Sequence, residues 1–180
     1  MVVVFLAEGF EEIEALTPVD LLRRAGIDVL TVGIGSKVVT GAHGIPIVTD
    51  CSDAEYASDA SPDMVVLPGG MPGTKNLEAS EVVRRAIEDV VQRGTYLAAI
   101  CAAPSILGKL GLLQGKKATC FPGFEPTLTG AILSSEPVCV DGRLITSKGA
   151  GTALAFSLKL VELLTSDTQA RELAAVIQCG

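Results

Sequence analysis

Short apolar runs rich in β-branched residues recur along this chain, and most are followed by a turn signal and then by residues at helical spacing. No other feature constrains the fold as tightly. Residues 2–7 (Val-Val-Val-Phe-Leu-Ala) carry no charge and suit a strand buried on both faces. An acidic stretch over residues 8–14 leads into helical spacing at Leu16, Val19 and Leu22. Arg23 and Arg24 sit near the end of that helix, and Gly26 suits its cap. Pro18 removes an interior hydrogen bond, so either the helix starts at Thr17 or a longer helix is kinked there. Residues 27–34 read as a second strand. Residues 37–48 hold Gly41, Gly44 and Pro46 among β-branched residues and read as a small hairpin or edge excursion. Residues 63–67 form the next buried strand, ended by Pro68-Gly69-Gly70-Met71-Pro72-Gly73. Ser80 can cap a helix over 80–93, which Gly94 stops. A strand over 95–100 precedes a helix over 103–110. Short strands are expected at 117–121, 138–140 and 144–146, and helices at 152–164 and 166–177.

Strands alternating with helices imply a largely parallel sheet with helices on both faces. The expected class is α/β: a flavodoxin-like, doubly wound, mostly parallel sheet sandwiched by helices. No linker, repeat or low-complexity stretch interrupts it, so one domain over residues 1–180 is expected. A chain of 180 residues can bury a core without disulfides or a structural metal. Ligand sites in such sheets lie beyond the carboxyl ends of the strands. Three loops then converge: after Ala7, at Pro68 to Gly70, and at Ile100-Cys101.

Composition excludes several partners. The net charge is -7, with only 14 Lys+Arg spread along the chain. A phosphate-backbone binder needs a basic face, so no nucleic acid is expected. The chain has no Trp, two Tyr and five Phe, which disfavours stacking platforms for single strands. No window approaches the ~18 consecutive apolar residues of a membrane span. The first residues lack the basic region of a signal peptide and run straight into acid, so a cytoplasmic chain is expected. The five cysteines form no C-x-x-C pair, so zinc spacing and a thioredoxin motif are absent and reduced thiols are expected. The single histidine, His43, excludes a His-rich metal cluster.

Cys101 stands at a strand-to-helix junction, Ala98-Ala99-Ile100-Cys101-Ala102-Ala103-Pro104. A nucleophile elbow needs small residues two positions either side, and Ala99 and Ala103 meet that need. A helix N-terminus there would favour the thiolate. A small buried hydrophobe is the alternative, because free Cys is commonly buried. Gly70 N–H and Ala102 N–H could form an oxyanion hole beside Cys101, though Pro68-Gly69-Gly70 could equally be a plain tight turn. Glu14 neighbours Ile13 and Leu16. A carboxyl held against apolar walls has a raised pKa and can donate a proton.

Four segments together resemble the ThiJ/PfpI family, closest to its Parkinson-disease-associated protein deglycase branch. They are Glu11-Glu12-Ile13-Glu14, Val65-Val66-Leu67-Pro68-Gly69-Gly70, the Cys101 segment, and Thr146-Ser147-Lys148-Gly149-Ala150-Gly151-Thr152. The resemblance covers nearly the whole chain in order. It implies a flavodoxin-like homodimer with a reactive cysteine on a strained elbow. It implies Cys101 as nucleophile, Glu14 as its protonated partner, and Gly70 and Ala102 as oxyanion donors. Family members are described as glyoxalases, as deglycases of early glycation adducts, as oxidative-stress sensors and as chaperones. No cofactor or metal is implied; the partners are a small aldehyde or a glycated adduct.

The chain departs from the family in two places. The proteolytic branch places a His directly after the cysteine, and here Ala102 stands there, which argues against a peptidase. The Parkinson-associated branch often has a His after the next strand, where this chain has Phe121. Proton transfer would fall to Glu14, to water or to His43. Arg24 and Lys148 match positions that are basic in the family and, with His43, could contact an anionic substrate. Cys120 could serve as a second thiol at the same mouth. Two functions follow: a cofactor-free, cysteine-dependent glyoxalase or deglycase, or a non-catalytic redox sensor and chaperone using the same thiol.

Overall fold

Alternation along the strands decides which layer each residue joins. In a strand, successive side chains point to opposite faces. Along the first strand, Val2 and Val4 enter one buried cluster, while Val3 and Phe5 enter another. The same split recurs at Met64 and Val66 against Val65 and Leu67, and at Ala98 and Ile100 against Leu97 and Ala99. Both faces of the sheet are therefore apolar, and helices must cover both.

The computed structural model describes residues 1–57 and 60–179. Its strands are β1 (Val2–Leu6), β2 (Val29–Gly33), β3 (Val38–Thr40), β4 (Pro46–Val48), β5 (Cys51–Ser52), β6 (Met64–Leu67), β7 (Tyr96–Ile100), β8 (Lys117–Ala118), β9 (Ile132–Leu133), β10 (Val138–Asp141) and β11 (Leu144–Ser147). Its helices are α1 (Glu12–Arg24), α2 (Gly73–Ala79), α3 (Glu81–Arg93), α4 (Pro104–Lys109), α5 (Ala153–Leu164) and α6 (Asp167–Val176). The main sheet has seven strands in the order β10-β11-β7-β6-β1-β2-β5. All its pairings are parallel except β10 with β11. One face is covered by α1, α5 and α6, through Val19, Leu22, Phe156, Leu160 and Leu173. The other is covered by α2, α3 and α4, through Leu77, Ile87, Val90 and Leu107. The doubly wound expectation holds.

Strand order reverses beside β1: β2 lies on one side of it and β6 on the other. The crevice at such a reversal, beyond the carboxyl ends, is where these sheets bind ligands. The loops after β1, β6 and β7 all open there.

Helix α1 starts at Glu12 and carries Pro18 inside it, so the longer of the two alternatives holds. Glu14 thus lies in the first turn rather than ahead of the helix. Pro18 has no N–H to offer the Glu14 carbonyl four residues back. The far end closes as a Schellman motif. Gly26 takes φ +75°, its N–H donates to Arg23 C=O at 3.0 Å, and Ile27 N–H donates to Leu22 C=O at 3.0 Å. Ser80 caps α3 by accepting from Val83 N–H, and Gly94 ends it in the left-handed conformation. The expected hairpin is present as β3 and β4, paired antiparallel outside the main sheet. Helix α2 was not expected, because its seven residues are too few to display a period. Strands β5 and β9 have two residues each and exist through their pairing, which no local pattern records.

Candidate active site

Cys101 directly follows β7 and takes φ +65°. A side-chain-bearing residue is strained there and stays only when its surroundings hold it. Two backbone bonds do so. Cys101 N–H donates to Ser147 C=O at 2.9 Å, and Phe121 N–H donates to Cys101 C=O at 2.8 Å. The neighbours Ala99, Ala102 and Ala103 are buried, so the chain can turn sharply without a clash. This is the expected elbow. It leaves the thiol half-buried with Gly70 N–H and Ala102 N–H directed at the sulfur. The two expected donors therefore meet the thiol itself and favour its anion.

Glu14 is 1% exposed and hydrogen-bonds the Cys101 thiol. Its Oε2 accepts from Gly69 N–H at 2.9 Å, and the Ala150 N–H also reaches the carboxylate. Burial pushes the carboxyl up to about 7, more than these donors pull it down. A group titrating there serves as either acid or base near neutral pH.

The thiol departs from expectation. A depressed thiolate pKa was anticipated from the helix N-terminus. Instead, burial first and the Glu14 charge second push Cys101 up to about 12, against the pull of Gly70 and Ala102 N–H. The dry carboxylate beside it adds to the effect of burial. When Glu14 is protonated, that repulsion is gone. The thiol–carboxylate and thiolate–carboxylic acid forms differ only by one proton moving between sulfur and oxygen. The two groups therefore titrate as a pair.

The sequence reading missed Gly69, Gly149 and Ala150 as parts of the site. A Cβ on Gly69 would lie 2.6 Å from Cys101 Cβ and 2.6 Å from Glu14 Oε2. Only a bare backbone fits between nucleophile and acid. The signal was present as two glycines in succession after a strand, but only Gly70 was given a role. Gly149 is held by hydroxyls. The Gly149 N–H donates to Thr152 Oγ1 at 3.1 Å, and the Thr152 hydroxyl lies 2.6 Å from Ser147 Oγ.

Four other expected contacts have partners or packing of their own. Arg24 lies in the last turn of α1 and pairs with Asp20 at 2.6 Å. Ten residues of helix separate it from Glu14, roughly 15 Å. Lys148 Nζ donates to Ser135 C=O at 2.5 Å. Cys120 is buried in the cluster under α3 and α4, whereas Cys101 packs toward the α1 and α5 side. His43 is anchored to Glu12: its N–H donates to Oε1 at 2.8 Å, and its Nδ1 lies 2.8 Å from Oε2. That hydrogen bond and the nearby Glu11 charge raise the imidazole's pKa. Acidic neighbours disfavour an anionic ligand there. Glu11, Glu12 and His43 are also the cluster, among the described residues, whose donor atoms lie within 4.8 Å of one another. No helix among those residues is long and apolar enough to cross a membrane.

The profile of the DJ-1/PfpI family matches residues 1–163. The chain belongs to the DJ-1/PfpI family. The Drosophila melanogaster protein dj-1beta is 40% identical over 174 residues, 95% of this chain and 92% of that protein. A Caenorhabditis elegans DJ-1/PfpI relative named glutathione-independent glyoxalase is 35% identical over 159 residues, 87% of this chain and 84% of its own. Among solved structures, a DJ-1 superfamily protein from Salmonella typhimurium, crystallised as a cysteine-to-alanine mutant, superposes with a TM-score of 0.94. It is 37% identical and covers 99% of this chain and 98% of its own. DJ-1 from Toxoplasma gondii, in an oxidised form, also reaches 0.94 at 34% identity, covering 98% and 97%. The resemblance read from four segments thus holds across the DJ-1/PfpI fold.

Proposed function

We propose that this chain is a cofactor-free, cysteine-dependent glyoxalase or deglycase of the cytoplasm, acting on 2-oxoaldehydes or early glycation adducts. One observation carries the reading. A buried carboxyl that titrates near 7 is hydrogen-bonded to a half-buried thiol that also faces two free-standing N–H donors. The relative named as a glutathione-independent glyoxalase supports it.

The steps use only these groups. Cys101 thiolate adds to the aldehyde carbon, and the new alkoxide takes a proton from Glu14. The Gly70 and Ala102 N–H groups stabilise the developing negative charge. The Glu14 carboxylate then removes the hydrogen on that carbon and returns it to the neighbouring ketone carbon, while the hydroxyl proton passes to the ketone oxygen. The former aldehyde carbon is now oxidised to a thioester, and the former ketone is reduced to an alcohol. Water cleaves the thioester, releases a 2-hydroxy acid and restores the thiol. The net change is addition of one water.

A second reading has its own support. Two N–H donors and a protonated Glu14 would also hold a cysteine sulfinate, so the same site would serve an oxidation sensor or redox-regulated chaperone. The residue after Cys101 is Ala102, so a peptidase lacks its adjacent base. A homodimer belongs to the same proposal: Ile13 on α1 and Val38, Ile45 and Val48 on the hairpin are exposed apolar residues on which a second copy would pack. The test is methylglyoxal consumption with lactate quantified. Many lactates per chain are expected. Loss of aldehyde without lactate would overturn the enzyme reading and leave the sensor.

A further inference from the structure

The aromatic side chains range from fully buried to exposed. Phe5, Phe10 and Phe156 are fully buried, but Phe121 is 47% exposed. Its place is not incidental. Phe121 N–H is bonded to the Cys101 carbonyl, so the elbow itself fixes the residue. Its ring leans on Gly149: Cδ2 lies 3.2 Å from where a Cβ on that glycine would sit. Glu14 Oε1 lies 3.7 Å from the same point. The ring edge and the acid therefore flank one glycine, and the ring's other surface meets solvent. Met71, next to the donor Gly70, is 45% exposed and adds a second apolar group to this end of the sheet.

The Ser147 and Thr152 hydroxyls beside the elbow bond each other, and Lys148 is held by Ser135. Glu14, Gly70 and Ala102 address the sulfur and the reacting carbonyl. Phe121 and Met71 offer a substrate's substituent exposed carbon.

Resting on the glyoxalase reading, we infer that Phe121 determines specificity at this site. Its exposed ring receives the substituent of the substrate, so 2-oxoaldehydes with apolar substituents are favoured over hydroxylated, sugar-derived ones. A hydroxyl placed on the ring loses water and gains no partner, whereas added methyl groups gain contact.

The test compares isopropylglyoxal, methylglyoxal and hydroxymethylglyoxal with wild type, Phe121→Ala and Phe121→Leu. Wild type is expected to favour the isopropyl over the hydroxymethyl compound by roughly tenfold or more in kcat/KM, through KM. Phe121→Ala is expected to lose that preference, and Phe121→Leu to restore part of it. An unchanged ratio in Phe121→Ala overturns the inference. If wild type turns over none of the three, the glyoxalase reading fails. The ring is then tested by single-event alkylation of Cys101 with isopropyl, methyl and hydroxymethyl bromoketones, each rate divided by that for free glutathione. The same preference, lost in Phe121→Ala, supports the ring as the substituent's wall. Equal ratios overturn it, as they would if a second copy covered the ring.

Discussion

Replacing Cys101 by Ala is expected to reduce 2-hydroxy acid formation by at least about 10⁴-fold, because it removes the only group that bonds to the substrate. Replacing Glu14 by Gln is expected to cost about 10²–10⁴-fold, the usual worth of a positioned acid–base group. The isosteric amide keeps the side chain's size and an oxygen that can accept from Gly69 N–H, but it cannot carry the proton. Its effect should fall on kcat, since the carboxyl acts after the substrate is held. The two losses should not add in the double variant, because both groups act in one sequence of steps. Steady-state lactate formation by the three variants checks this. A Glu14→Gln enzyme within threefold of wild type, on the order of 0.6 kcal/mol in barrier, would remove Glu14 from the chemistry.

Gly69→Ala is the second large effect. The added methyl would stand 2.6 Å from Cys101 Cβ and from Glu14 Oε2, closer than real Cβ contacts allow. Neither neighbour can retreat cheaply. Cys101 is held by Ser147 and Phe121 through its backbone, and Glu14 is buried in the first turn of α1. Overpacking of this kind costs about 1–3 kcal/mol of stability. The larger consequence is separation of sulfur from carboxyl, and a displacement of about 1 Å there can cost about 10²-fold in rate. Activity is therefore expected to fall far more than stability. Thermal melting alongside kcat/KM checks the split. A variant that melts early yet keeps full activity per folded chain would contradict the close approach.

The layer order was legible because it rests on local patterns that agree. Apolar runs such as residues 2–7 can only be buried on both faces, and Ser80, Gly26 and Gly94 mark helix ends by their own chemistry. Cys101, Glu14, Gly70 and Ala102 were legible as residue types at a strand end, a helix start and a turn. What escaped is what depends on distant partners. Strands β5 and β9 need their neighbours to exist. Gly69 matters only because Glu14, 55 residues away in sequence, closes on it. Arg24 and Lys148 were drawn to the site by the family's basic positions, but Asp20 and the Ser135 carbonyl engage them, as Glu12 engages His43. The thiol's pKa was misjudged for the same reason. The helix N-terminus is a local feature, whereas burial and a carboxyl arriving from α1 together outweigh it.

The central claim is that Cys101 and Glu14 share one titrating proton that makes the thiolate available. Its most direct test is the rate of Cys101 alkylation by iodoacetamide across pH, in wild type and Glu14→Gln. In wild type the rate is predicted to rise through an inflection near the Glu14 value of about 7 and then level off. In Glu14→Gln that inflection should disappear, leaving a rise at higher pH that belongs to the thiol alone. Superimposable profiles for the two proteins would show that the carboxyl does not control the sulfur, and the mechanism built on the pair would fall.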